Sequence, residues 1–171
     1  MANTYQLISS VTVGSGGAAT IAFTSIPATY TDLQVLVSTR ADNASIINNM
    51  RWTFNSSSSG YSYKELYGDG TSAASGGASS TTYAQIGYST GDTATANTFA
   101  NTSCYIPNYA GSNNKSFSVD SVAENNATGQ YMDLGAGLWA NSAAITTVTI
   151  TPSAGNFKQY STAYLYGISN A

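Results

Sequence analysis

Chemistry at neutral pH needs groups that move a proton, hold a metal or attack a carbon, and this chain of 171 residues carries few of them. It has no histidine. That removes the commonest general base, the Ser-His-Asp and Cys-His arrangements, and most zinc and iron sites. A glycoside hydrolase needs only two carboxylates. Eight are present: Asp32, Asp42, Glu65, Asp69, Asp92, Asp120, Glu124 and Asp133. All fall at expected strand ends, in turns or beside polar residues, where carboxylates are solvated. The expectation is a protein without enzymatic activity.

The remaining reactive groups read the same way. Cys104 is the only cysteine, so no disulfide forms within the chain. With no histidine available to lower its pKa, it reads as a small buried hydrophobe in a strand. Asp69 and Asp92 sit beside glycines, an arrangement that calcium loops also use. Calcium takes six to eight oxygens, and neither stretch supplies them, so both read as turns. No metal and no cofactor is expected. Asn-x-Ser/Thr triplets at Asn43, Asn55, Asn101, Asn114 and Asn126 follow from a chain rich in Asn, Ser and Thr.

Tyrosine is the residue type with functional promise, and there are 13. Its ring is apolar and its tip polar, which suits protein interfaces and stacking on sugars. Tyr61, Tyr63, Tyr67, Tyr83 and Tyr109, with Tyr88 and Tyr105, fall in expected strand edges and loops. The first five are the candidate interface residues.

Strands must position them. Charged residues make up 8% of the chain, against about 25% in ordinary domains. Ser, Thr, Asn and Gly supply the polarity, and Tyr, Thr, Val and Ile favour strands. The clearest strand is 30–40, with Leu33, Val35 and Val37 on one face, as expected of a central sandwich strand. Strands are also expected over 5–13 and 18–24, joined as a hairpin by Gly14–Gly17. Others are expected over 50–54, 61–67, 83–88, 97–106, 115–124, 131–139 (bent at Gly135 and Gly137), 145–151 and 161–168. Residues 45–48 could form a short helical turn. Residues 56–60, 68–80, 107–114, 125–129 and 152–156 read as turns or loops, 68–80 being the longest low-complexity stretch. About ten strands without a long helix predict an all-β, single-domain two-sheet β-sandwich of jelly-roll type over 1–171.

Net charge is −3, and Arg40, Arg51, Lys64, Lys115 and Lys158 are scattered, so no nucleic-acid track exists. No apolar run is long enough for a transmembrane helix, and no membrane partner is expected. The N-terminus lacks the basic and apolar regions of a secretory signal. Low charge weakens repulsion between copies, and Ser, Thr, Asn and Tyr lose less on desolvation than Lys or Glu. The composition therefore suits a protein packed against other subunits.

Several stretches carry a resemblance: Ile26–Leu33, Tyr61-Ser62-Tyr63, Leu66-Tyr67-Gly68-Asp69-Gly70, Ile106-Pro107-Asn108-Tyr109, Asn114-Lys115-Ser116, Gly137-Leu138-Trp139 and Leu165-Tyr166-Gly167-Ile168. Over essentially its whole length the chain resembles small virion structural proteins of tailed bacteriophages of aquatic bacteria. The resemblance implies a capsid decoration or cement protein made in the host cytoplasm and carried on the capsid surface. It implies the major capsid protein as partner, and self-association as a homotrimer. The alternative it leaves open is a tail-fibre or receptor-binding module that recognises host cell-surface glycan. A start at Met, an end just past the last strand, and no shaft repeat or coiled coil fit the expectation of a complete decoration protein.

Overall fold

Alternation of apolar and polar side chains sets most strands of this protein, because a strand with one buried face must place every second residue inside. A computed structural model describes residues 4–126 and 131–169. It contains β1 (Tyr5–Thr12), β2 (Ile21–Phe23), β3 (Asp32–Thr39), β4 (Ile47–Phe54), β5 (Tyr61–Gly68), β6 (Ala73–Thr81), β7 (Ala84–Thr90), β8 (Ala100–Ile106), β9 (Lys115–Ala123), β10 (Tyr131–Trp139), β11 (Val148–Pro152) and β12 (Thr162–Ile168). All neighbouring strands run antiparallel, in one sheet of eight ordered β1-β12-β3-β8-β9-β10-β5-β6 and one of four ordered β2-β11-β4-β7.

The strand order contains a jelly roll. β1 pairs with β12, β2 with β11, β3 with β8 and β4 with β7, as successive turns of one folded ribbon. Two strand pairs are inserted into it, β5–β6 between β4 and β7 and β9–β10 between β8 and β11. Both join the same sheet beyond β8, which widens it from four strands to eight. Among the described residues no helix is long and apolar enough to cross a membrane.

β3 lies between β12 and β8, and Leu33, Val35 and Val37 are buried against the opposite sheet. Met50, Trp52 and Phe54 of β4 face them from the other side. An aromatic group closes one end of the core, with Phe54 edge-on to Phe117 at 5.2 Å and Tyr61 stacked on Trp139 at 6.2 Å.

Several expectations are corrected. Residues 5–13 and 18–24 do not form a hairpin, because β1 and β2 pair with different partners in different sheets. β2 is only Ile21–Phe23. No helical turn forms at 45–48, where β4 begins at Ile47. The expected loop 68–80 is largely β6, an edge strand paired with β5 along its length. Its glycines have a steric reason. A Cβ on Gly76 would lie 2.7 Å from Glu65 Oε1, and one on Gly77 would lie 2.7 Å from Lys64 Cδ. The long side chains of β5 thus lie across its neighbour. β10 keeps continuous register with β9 and β5, so Gly135 and Gly137 do not interrupt it. They make room for neighbours: a Cβ on either would sit 2.1 Å from Ile86 Cγ2 or Phe117 Cζ. Residues 127–129 of the turn expected over 125–129 lie outside the described residues.

Candidate interaction surface

The outer face of the eight-stranded sheet is open to solvent, and registry fixes what stands on it. One row across the sheet runs Ser10, Tyr164, Leu36, Ser103, Asp120, Leu134, Leu66 and Ser75. The row on one side runs Leu7, Tyr166, Gln34, Tyr105, Ser118, Ala136, Lys64 and Gly77. The row on the other side runs Thr12, Thr162, Ser38, Asn101, Val122, Met132, Gly68 and Ala73. Lys64 and Asp120 are the charged residues in these rows.

Leu66 and Leu134 are direct cross-strand neighbours, as are Val122 and Met132, and Met132 and Leu134 are two apart on β10. The four make one apolar patch, exposed by 57% at Leu66, 64% at Leu134, 65% at Met132 and 41% at Val122. Isolated exposed leucines are ordinary, whereas a contiguous apolar cluster marks an interaction site, and Asp120, Lys64 and Glu124 border this one. The patch has relief as well. Two hollows of about 210 Å³ each share Gly68 and Met132 in their walls. A second exposed group, Tyr5, Leu7, Leu36, Tyr105 and Tyr164, occupies the β1-β12-β3-β8 half of the face. Tyr105 is fixed there by donating its hydroxyl to Asp32 at 2.8 Å.

The five candidate tyrosines are not on this face. Tyr61 and Tyr109 are core residues, 1% and 0% exposed. Each satisfies its buried hydroxyl locally, which is what lets a tyrosine be buried. Tyr61 accepts from the Phe54 N–H at 2.7 Å and donates to the Phe54 carbonyl at 3.3 Å. Tyr109 donates to the Pro27 carbonyl and accepts from the Tyr30 N–H. Tyr63, Tyr67 and Tyr83 are half-buried. Tyr63 and Tyr67 flank Glu65 on the inward side of β5, while the Arg51 guanidinium lies 4.6 Å from the Tyr83 ring centre. Tyr88 is buried beside Tyr131, with ring centres 5.0 Å apart.

Two of the eight carboxylates depart from the solvated surface expected of them. Asp133 is buried and accepts the Gly87 N–H at 2.8 Å. Burial raises its pKa to about 6 despite that bond, with Asp120 adding to the rise. Glu65 is half-buried, and burial together with the nearby Asp133 raises it to about 7. Most of the others hold backbone. Asp32 accepts the Asn108 N–H, Asp42 the Asn156 N–H, and Asp69 the Thr71 and Ser72 N–H groups of its own turn. Asp92 pairs with Lys158 at 2.5 Å. Among the described residues no three metal-ligating side chains come together. Cys104 is buried, and that burial pushes its thiol pKa up.

One of the scattered cations is buried and organises a loop. Arg40, just past β3, is 6% exposed. It donates to the carbonyls of Asp92, Ala94, Thr95 and Thr98 at 2.9–3.1 Å. It thereby fixes the irregular segment 91–99 between β7 and β8. The only sequence signal was its place at the end of the most regular strand.

No protein-family model matches this sequence, and no curated protein matches it. Among solved structures, the chain is similar to exo-inulinase from Aspergillus awamori, with 13% identity and a TM-score of 0.47. That likeness covers 96% of this chain and 30% of the enzyme's. At this level it carries no argument about chemistry.

Proposed function

We propose that this protein is a non-enzymatic structural component of a phage particle, a capsid decoration or cement protein that docks through the outer face of its eight-stranded sheet. The observation that supports this reading is the Leu66, Val122, Met132 and Leu134 patch, set in a wide face with little charge. Such a face loses little on desolvation and gains from apolar burial. The major capsid protein is the partner, and a trimer is the form that docks. The carboxylates favour a structural role, since most already hold backbone groups or an ion pair. A protein that binds only the assembled shell shifts the equilibrium away from disassembly.

The test uses particles lacking the protein. Adding it should restore resistance to heat, and Leu134→Lys should not bind while keeping its own melting temperature. Equal heat resistance with and without the protein would overturn a cement role. Retained binding by Leu134→Lys would move the docking surface elsewhere.

A further inference from the structure

We propose that the cleft between segment 91–99 and residues 158–160 binds a neutral saccharide. This site lies apart from the apolar patch and does not depend on its reading. The cleft measures about 330 Å³ and is lined by Asp92, Asn97, Phe99, Lys158, Gln159 and Tyr160, with Arg40 also in its wall. That volume falls in the range of small-ligand sites.

Three features specify the ligand. The first is Tyr160, 69% exposed and held at φ 72°. A bulky side chain in the left-handed region is strained, and such strain concentrates at binding sites. Its own N–H donates to the Val13 carbonyl and the Ser161 N–H to the Lys158 carbonyl, so the backbone on both sides is fixed. An exposed ring on a fixed backbone offers the apolar face that sugars stack against.

The second is the supply of polar groups. Among the described residues the side-chain amides of Asn97 and Gln159 have no hydrogen-bond partner, and both line the cleft. Each offers two donors and an acceptor, the mixture that a ring of hydroxyls requires. Asp92 adds a carboxylate acceptor.

The third is the state of the cations. Arg40 points its terminal nitrogens at four carbonyl groups, and Lys158 is paired with Asp92 at 2.5 Å. The positive charge of both cations is thus already matched, so an anion gains less here than at a free cation, and a neutral polyol needs no charge partner. The Arg40 clamp also means that segment 91–99 is already ordered before a ligand arrives, which reduces the ordering cost of binding.

The experiment applies the full chain to a printed array of neutral and acidic oligosaccharides and measures the best binder by titration calorimetry. Binding to neutral members is expected. Tyr160→Gly removes the ring and relieves the strained φ, so it should fold at least as well and bind about tenfold more weakly. Tyr160→Phe keeps the ring and should stay within about threefold of the parent. Gln159→Ala should weaken binding without changing the melting temperature. No array binding at millimolar ligand, binding confined to acidic members, or binding unchanged in Tyr160→Gly would each overturn the proposal.

Discussion

Asp133 accepts a hydrogen bond from the Gly87 N–H at 2.8 Å and so joins β10 to β7 across the sandwich. The contact answers a problem created by β7. Its register against β4 slips between Asn49 and Arg51, and Gly87 sits at φ 84° in the resulting bulge. Three backbone groups there are met by side chains: Trp52 Nε1 donates to the Ile86 carbonyl, Asp133 accepts from Gly87, and Ser121 Oγ accepts from Tyr88. Removing Asp133 strands a buried N–H. Asp133→Ala should therefore cost about 2 kcal/mol in urea unfolding. Asp133→Asn keeps an acceptor and should cost less. Equal stability of parent and Asp133→Ala would show that the bulge does not need this bond.

Stability should fall as pH rises from about 4 to 7. Glu65 is raised from 4.5 to about 7 and Asp133 from 3.8 to about 6. Both bind protons more tightly in the folded protein than in the unfolded chain. Folding is thus favoured below the unfolded values and loses that advantage as pH climbs through the folded ones. Asp69 and Asp92 are shifted down, so their contributions change only at more acid pH. The Glu65 shift corresponds at most to about 3 kcal/mol, and solvent screening at its half-open site reduces this to about 1 kcal/mol. Melting temperature measured from pH 4 to 8 should decline, and Glu65→Gln should flatten the decline. A flat profile in the parent would remove the basis for this coupling.

Gly135→Ala should destabilise by about 1–3 kcal/mol, because the new methyl lands 2.1 Å from Ile86 Cγ2 in a packed core. Ile86→Ala removes the colliding carbon. The double variant should be more stable than the sum of the two single losses implies, which a double-mutant cycle by urea unfolding measures. Strict additivity would mean that Gly135 is needed for another reason.

These cases show what the sequence could and could not disclose. β3 was legible because Leu33, Val35 and Val37 form one fully apolar face, against the mixed face of Gln34, Leu36 and Ser38. β6 was not, since Ala, Ser and Gly carry no alternation, and the tight approach of Gly76 to Glu65 and of Gly77 to the Tyr63 carbonyl exists only once β5 lies beside it. Tyr61 and Tyr109 looked like surface residues because their type tolerates both settings. Their burial depends on carbonyls at Phe54 and Pro27, which only the fold supplies. Asp133 alternates with Met132 and Leu134, and the pattern does not say that the carboxylate, not the Met-Leu side, faces inward. In the fold it shares the inward face with Gly135, Gly137 and Trp139 and there meets the bulge in β7. The apolar patch was hidden because Leu66 and Val122 join Met132 and Leu134 only through strand registry.

Arg40 makes the last prediction. Its two terminal nitrogens reach four carbonyls of a segment outside any strand, whose start is also tied to residues 43–46 by backbone bonds, and its backbone N–H is accepted by Ser161 Oγ at 3.1 Å. A planar guanidinium can hold several acceptors in fixed directions, whereas an ammonium is a point charge with three donors. Arg40→Met keeps much of the aliphatic bulk and the backbone bond to Ser161, and removes every bond that the guanidinium makes. It should cost about 2–3 kcal/mol, since bonds from a charged donor are the stronger kind. Arg40→Lys should recover part of that loss and not all of it. Loosening should be local, so limited proteolysis of Arg40→Met should cut first within 91–99, before the sheets open. If Arg40→Met unfolds at the same urea midpoint as the parent and resists cleavage in this segment, the clamp does not hold it.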